Sequence, residues 1–164
     1  MATKVLRYFF LFLIVFSFAG CPGKKHDETP PVYTMSAIIA GFKWNQNSVT
    51  STMLIDTTHS ARVLDITASS GGKTILIEVY NIGSGSSIAT GTYAHPTAYF
   101  SYSVSGGPHY TTTTGWVSID DVNTSARTVS GTFDFTVQDG AATPTTIRIS
   151  DGKIVNAPYS VKYQ

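Results

Sequence analysis

The chain has 164 residues, of which 42% are hydrophobic and 13% are charged. This length fits one domain with a sizeable core and is short for two. Nucleic acid is excluded as a partner because 11 basic and 10 acidic residues leave no clustered positive excess for phosphate. The only cysteine, Cys21, excludes an intramolecular disulfide and a cysteine cluster for zinc.

The first residues are typical of a secretory signal peptide. Lys4 and Arg7 supply its positive charge, and the apolar run that follows covers about 12 residues, against the roughly 20 that a membrane-spanning helix needs. Residues 18–21, Phe-Ala-Gly-Cys, resemble the bacterial lipobox, in which a cysteine after small residues receives diacylglycerol before cleavage. We therefore predict a signal peptide over residues 1–20 and lipidation of Cys21, with ordinary secretion as the alternative.

Residues 21–32 are predicted to tether the domain to the membrane through this lipid anchor. The stretch from Pro22 to Pro31 is polar and interrupted by prolines, so it should act as a flexible spacer. No Asp follows Cys21, and because Asp there is the usual inner-membrane retention mark, we expect outer-membrane delivery. Lys24 to Glu28 resembles the charged signals that send some Bacteroidota lipoproteins to the cell surface, although a solvated linker explains these residues equally well.

Apolar and polar residues alternate with a period of two through most of residues 33–164, which is the pattern of half-buried strands. Predicted strands lie near residues 35–40, 52–56, 63–68, 75–79, 89–93, 98–104, 116–120, 129–137, 146–150 and 159–163. Turn signals separate them, among them Gly71-Gly72 and Asp151-Gly152, while Gly131 within a strand indicates a bulge or a close contact. This spacing predicts an all-β domain, an antiparallel β-sandwich or partly closed barrel, with a lipocalin-like closed β-barrel as the alternative.

Two parts of this domain resemble a family of uncharacterised Bacteroidota lipoproteins. Ser36 to Trp44 contains the pattern A-x-I-x-G-x-x-W of that family's opening strand and turn. Residues 115–119, 129–135 and 149–153 are similar to its closing hairpins, so the resemblance spans roughly residues 34–160. It implies a cell-envelope location and an all-β fold. Because the family is a domain of unknown function, the resemblance transfers no catalytic residue.

The residues themselves also predict no catalytic group, metal site or cofactor. The chain lacks a Gly-x-Ser-x-Gly elbow and paired histidines at ligand spacing. Glu78 is the single glutamate beyond the tether, whereas glycosidases need two poised carboxylates. Asp56 and His59 could form an acid–base pair, and the loop from Asp120 to Asn123 could bind calcium, but turns favour the same residue types.

Three aromatic residues lie opposite in parity to the apolar stripe of their own strands, namely Tyr80, Tyr99 and Trp116. We predict that Tyr99 and Trp116 form an exposed face that binds a glycan or an envelope protein, unless a second layer covers them. The function predicted is thus a non-enzymatic binding or structural module of the envelope. The alternatives are a small hydrolase that uses Asp56, His59 or the Asp120 loop, and a lipocalin-like carrier of an apolar ligand.

Lipidation is tested by Cys21→Ser, because the serine oxygen cannot accept the diacylglycerol that the thiolate receives. The substitution should move the protein from the membrane fraction to the soluble periplasm or the medium, as followed by cell fractionation and immunoblotting. Thr29→Ala in the tether is the control and should leave the protein with the membranes. Unchanged fractionation of Cys21→Ser would contradict the prediction.

Overall fold

The alternating pattern corresponds to ten strands in the computed structural model, which describes residues 34–83 and 87–164. The strands are β1 (Thr34–Ile39), β2 (Phe42–Gln46), β3 (Val49–Asp56), β4 (Ala61–Ser70), β5 (Lys73–Tyr80), β6 (Gly91–Ala94), β7 (Ala98–Val104), β8 (His109–Asn123), β9 (Thr128–Asp139) and β10 (Thr146–Tyr163). Within these described residues no helix is present that could cross a membrane. The predicted signal peptide, Cys21 and the tether lie outside the described residues.

All ten strands belong to one sheet whose hydrogen bonding closes into a ring. The strands β10, β3, β4, β5, β7, β8 and β9 follow one another around it, and β9 pairs again with β10. The pairing is antiparallel throughout the described strands except for the parallel contact of β10 with β3. This all-β, mainly antiparallel architecture agrees with the predicted sandwich or partly closed barrel.

The two longest strands each pair with two different strands along one edge. Residues 149–155 of β10 pair with β1, and its last part, residues 159–163, pairs with β3. Similarly, residues 109–111 of β8 pair with β7, and residues 116–119 pair with β6. Both strands pair with β9 on their other edge, so β8 and β10 connect one part of the sheet to the next.

The prediction of a turn at Asp151-Gly152 between two short strands was wrong, because β10 continues through this point. Its register with β9 shifts between Ile149 and Gly152, where Asp151 adopts a φ of 50°. The bulge takes up the extra residue without ending the strand. An Asp-Gly pair favours the positive φ that both a turn and a bulge require, so this signal did not distinguish them.

Two further stretches of strand were missed by the prediction. In β2 only Trp44 is buried among the five residues, so the strand has little apolar alternation. Residues 111–114 of β8 are four threonines, which show no apolar period either. Both stretches are strands because neighbouring strands supply their hydrogen bonds.

The motif A-x-I-x-G-x-x-W describes the β1–β2 hairpin. Ala37 and Ile39 point into the core, and the chain reverses at Ala40 and Gly41, where φ is 50° and 86°. Two consecutive positive φ values are the requirement of a tight two-residue hairpin turn. Trp44 then returns to the core, and its indole nitrogen donates a hydrogen bond to the Ser70 carbonyl at 3.4 Å.

Aromatic rings fill the interior. Phe100 of β7 stacks on Phe135 of β9 with ring centroids 4.3 Å apart, and Phe133 lies 5.5 Å from Phe135. These three residues and Ile77 are all fully buried, so the predicted core is confirmed. The lipocalin-like closed barrel requires an open interior, whereas stacked rings occupy this one.

Gly131 marks a close contact between β8 and β9, as its place in the sequence indicates. A Cβ atom at this position would lie 2.1 Å from the carbonyl oxygen of Ser118. Only glycine permits this approach of the two backbones.

Removal of the central ring should destabilise the fold strongly. Phe135→Ala should lower the free energy of unfolding by about 3–5 kcal/mol, because it leaves a cavity between Phe100 and Phe133. Phe42→Ala is the control, since that ring is 74% exposed and should change stability by less than about 0.5 kcal/mol. Denaturant unfolding measures both, and equal effects of the two substitutions would count against the assigned core.

Candidate functional site

The outer face of β4, β5 and β7 carries two carboxylates side by side. Asp65 of β4 is paired with Glu78 of β5, and Glu78 is paired in turn with Tyr99 of β7. Tyr80 lies two residues beyond Glu78, so it projects from the same face. These four residues are called the carboxylate–tyrosine face below.

Among the described residues, none supplies a positively charged partner to the two carboxylates of this face. Within residues 34–83 and 87–164 neither one forms an ion pair, and the buried Oδ1 of Asp65 accepts no hydrogen bond. Burial raises the pKa of the Asp65 carboxyl above its ordinary value. Burial, and then the neighbouring Asp65, raise the pKa of Glu78. Like charges directly opposite each other destabilise a sheet, so this pair opposes folding.

Tyr80 and Tyr99 place aromatic surface beside the two carboxylates. Tyr80 is 38% exposed and Tyr99 is half-buried. Burial, followed by the charges of Glu78, Asp65 and Tyr99, raises the pKa of Tyr80. Carboxylates accept hydrogen bonds from hydroxyl or ammonium groups, and tyrosine rings pack against sugar rings or cations. The face is therefore suited to a hydroxyl-rich or positively charged ligand.

Trp116 lies on another part of the outer surface. It is 39% exposed, and its cross-strand neighbours are Ala94 of β6 and Asp134 of β9. Asp134 accepts a hydrogen bond from Arg148 at 3.0 Å in an ion pair. Because Tyr99 has Glu78 as its neighbour instead, strand pairing does not join the two predicted rings directly. Binding by a surface that contains both rings remains a prediction.

Asp56 and His59 do meet, in the turn between β3 and β4. Asp56 Oδ2 lies 2.7 Å from His59 Nδ1, and Asp56 Oδ1 accepts the backbone N–H groups of Thr58 and His59 at 2.8 and 3.0 Å. The hydrogen bond to the His59 side chain is the main cause that lowers the pKa of Asp56. This carboxylate holds the turn and also orients an imidazole whose side chain is 77% exposed.

The prediction of a loop from Asp120 to Asn123 was wrong, because these residues form the end of β8 and pair with β9. Hydrogen bonds within the β8–β9 hairpin hold the side chains of Asp120 and Asn123. Asp120 Oδ1 accepts the Ser118 hydroxyl at 2.6 Å, and Asn123 Oδ1 accepts the Ala126 N–H at 2.8 Å. In the part of the chain that the structure describes, no three acidic, histidine or cysteine residues are grouped so that they could hold a metal ion.

Comparison with protein families gives one result. The family model described as "Domain of unknown function (DUF6252)" matches residues 37–158. The chain belongs to the DUF6252 family. The match begins in β1 and ends in β10, so the DUF6252 domain contains the carboxylate–tyrosine face and Trp116. Comparisons with curated proteins and with solved structures found no match.

The sequence also carries a signal for the Asp65–Glu78 pair of the DUF6252 domain. The two-residue turn at Gly71-Gly72 pairs Ser70 with Lys73. Counting five residues away from the turn along each strand leads to Asp65 and Glu78, which are therefore also paired. A two-residue hairpin loop fixes the register of both strands. The neighbouring position of Tyr99 has no such signal, since β6 intervenes between β5 and β7.

Neutralising Asp65 should stabilise the DUF6252 domain near neutral pH. The raised pKa means that the folded protein holds its proton more tightly than the unfolded chain, so stability falls as pH rises between the two pKa values. Asp65→Asn should therefore raise the free energy of unfolding by roughly 0.2–1 kcal/mol at about pH 7, with the gain vanishing in acid.

Thermal melts at several pH values measure this effect. The control is Asp134→Asn, which removes the partner of Arg148 and should give no gain. Destabilisation by Asp65→Asn near neutral pH would show that the carboxylate has a stabilising partner.

Proposed function

We propose that this DUF6252 protein is a lipid-anchored lipoprotein of the bacterial cell envelope, of the Bacteroidota type. Its β domain is a non-enzymatic binding module for a glycan or an envelope protein. The anchor is supported by the apolar leader and by Cys21 after two small residues. The lipid would keep the domain at the outer membrane, since two or three acyl chains give firm attachment.

The carboxylate–tyrosine face carries the proposal of a binding role. Asp65 and Glu78 face each other, and no ion pair with a described residue compensates their charge, an arrangement that lowers stability. Destabilising groups of this kind are common at functional sites, where activity is gained at the expense of stability. A bound ligand that donates hydrogen bonds would interact with these two carboxylates, while Tyr80 and Tyr99 provide the packing surface.

A hydrolase is the second candidate, and the contact of Asp56 with His59 favours it. A carboxylate on Nδ1 leaves Nε2 available as a base. Loss of hydrolysis of an envelope substrate by His59→Gln would support this candidate. A carrier of apolar ligands has less support, because Phe100, Phe133 and Phe135 occupy the interior in which such a ligand would sit.

The binding role is tested on the Cys21→Ser protein with arrays of defined oligosaccharides and with immobilised outer-membrane protein extract. Tyr80→Ala and Tyr99→Ala should each weaken binding at least about tenfold, because both rings belong to the carboxylate–tyrosine face. The double substitution Tyr99→Ala, Trp116→Ala tests the larger surface that contains both predicted rings and should abolish binding. The melting temperature should change little for Trp116→Ala, because that ring is already 39% exposed.

Phe42→Ala, which removes an exposed ring from the β1–β2 hairpin, is the matched control and should bind normally. Full binding by the double variant would contradict the role of these rings. Unfolding of that variant would identify the rings as structural instead.

A further inference from the structure

A groove lies where the turn between β8 and β9 approaches the end of β10. Its volume is about 540 Å³, within the range of roughly 300–1,000 Å³ that small-molecule sites occupy. The lining residues are Ser87, Thr124, Arg127, Tyr159, Val161 and Tyr163. This surface is called the Arg127 groove, and it shares no residue with the carboxylate–tyrosine face.

Arg127 gives the groove a permanent positive charge. Its backbone adopts a φ of 52°, and its carbonyl accepts the Tyr159 N–H at 2.8 Å, which ties the turn to β10. The hydrogen bond from Ala126 N–H to the Asn123 side chain holds the same turn from the other side. In the described part of the chain no carboxylate pairs with Arg127, and none lines the groove. The groove therefore attracts anions.

One side of the groove is a stripe along β10. Tyr159, Val161 and Tyr163 are alternate residues, so their side chains project on the same side of the strand. Tyr159 is 7% exposed and forms the floor, whereas Tyr163 is 68% exposed and stands at the rim. Four residues of strand separate the two rings by about 13 Å, which is wider than a single sugar ring.

A buried polar atom beside the floor lacks a hydrogen bond. Ser51 of β3 is paired with Tyr159 in the parallel register, and parallel partners project to the same side of the sheet. Ser51 is 7% exposed, and its Oγ has no hydrogen-bond partner. A buried hydroxyl without a partner lowers the stability of the protein. Ser51 lies next to Tyr159 but is not among the residues that line the groove.

From these features we infer that the Arg127 groove binds an acidic oligosaccharide, one in which a single sugar ring bears a carboxylate. The guanidinium forms paired hydrogen bonds with one carboxylate. A single Arg balances a carboxylate, whereas a phosphate monoester carries a larger charge and would need a second cation that the lining does not provide. The Tyr163 ring packs against a sugar ring, and the hydroxyls of Ser87 and Thr124 bond to its hydroxyl groups.

The test uses the Cys21→Ser protein and two probes, a galactose trimer in which one terminal sugar is replaced by galacturonic acid and the corresponding uncharged trimer of galactose, measured by isothermal titration calorimetry. The acidic trimer should bind at least tenfold more tightly than the neutral one. Arg127→Gln should remove that preference, and Tyr163→Ala should weaken binding of the acidic trimer at least fivefold. Arg148→Gln, a charge change on another surface, is the matched control and should bind as the parent does.

Three results would overturn the inference: no binding of the acidic trimer, equal binding of both trimers, or unchanged binding by Arg127→Gln. Melting curves establish that the variants fold. If Arg127→Gln does not fold, Tyr163→Ala supplies an independent variant, since the Tyr163 ring is largely exposed and its removal should not disturb the fold. The Tyr99→Ala, Trp116→Ala double variant should keep full affinity for the acidic trimer, so failure of the proposed outer-face function leaves this result intact.

Discussion

The change of partner along β10 is the interaction on which the remaining structure depends. Its first part pairs with β9 and β1, and its last five residues pair with β3 instead. Bulges at Asp151 and between Ile154 and Ala157 bend the strand, since an extra residue on one side of a ladder increases local twist. Through its two sets of partners β10 completes the ring of hydrogen-bonded strands, and the stacked phenylalanines lie in the buried core.

The same closure separates two surfaces of opposite charge. The carboxylate–tyrosine face is built from the simple antiparallel ladders of β4, β5 and β7, where register alone places Asp65 beside Glu78. The Arg127 groove arises where β10 leaves β9 to join β3, so irregular pairing makes its concave shape. Regular parts of the sheet present flat faces, and the junction provides a cleft.

Alternation along the chain was sufficient to predict the fold class and most strands, because burial on one side of a sheet imposes a period of two. It did not identify β2, in which only Trp44 is buried, and it did not show that β10 continues past Asp151. The exposure of Trp116 followed from parity alone. By contrast, Arg127 carries no local sequence signal, since its position beside Tyr159 depends on a contact between distant parts of the chain.

The parallel pairing of β10 with β3 also determines the order in which the chain can fold. Thr52 and Ser160, which lie opposite each other in this contact, are 108 residues apart. Such distant pairing is slow to form, because a long loop must close before the contact stabilises anything. Until the segment from Tyr159 to Tyr163 has been synthesised, one edge of β3 has no strand to pair with, and the ring stays open. A nascent chain with this topology therefore cannot complete its native sheet until its last strand has left the ribosome.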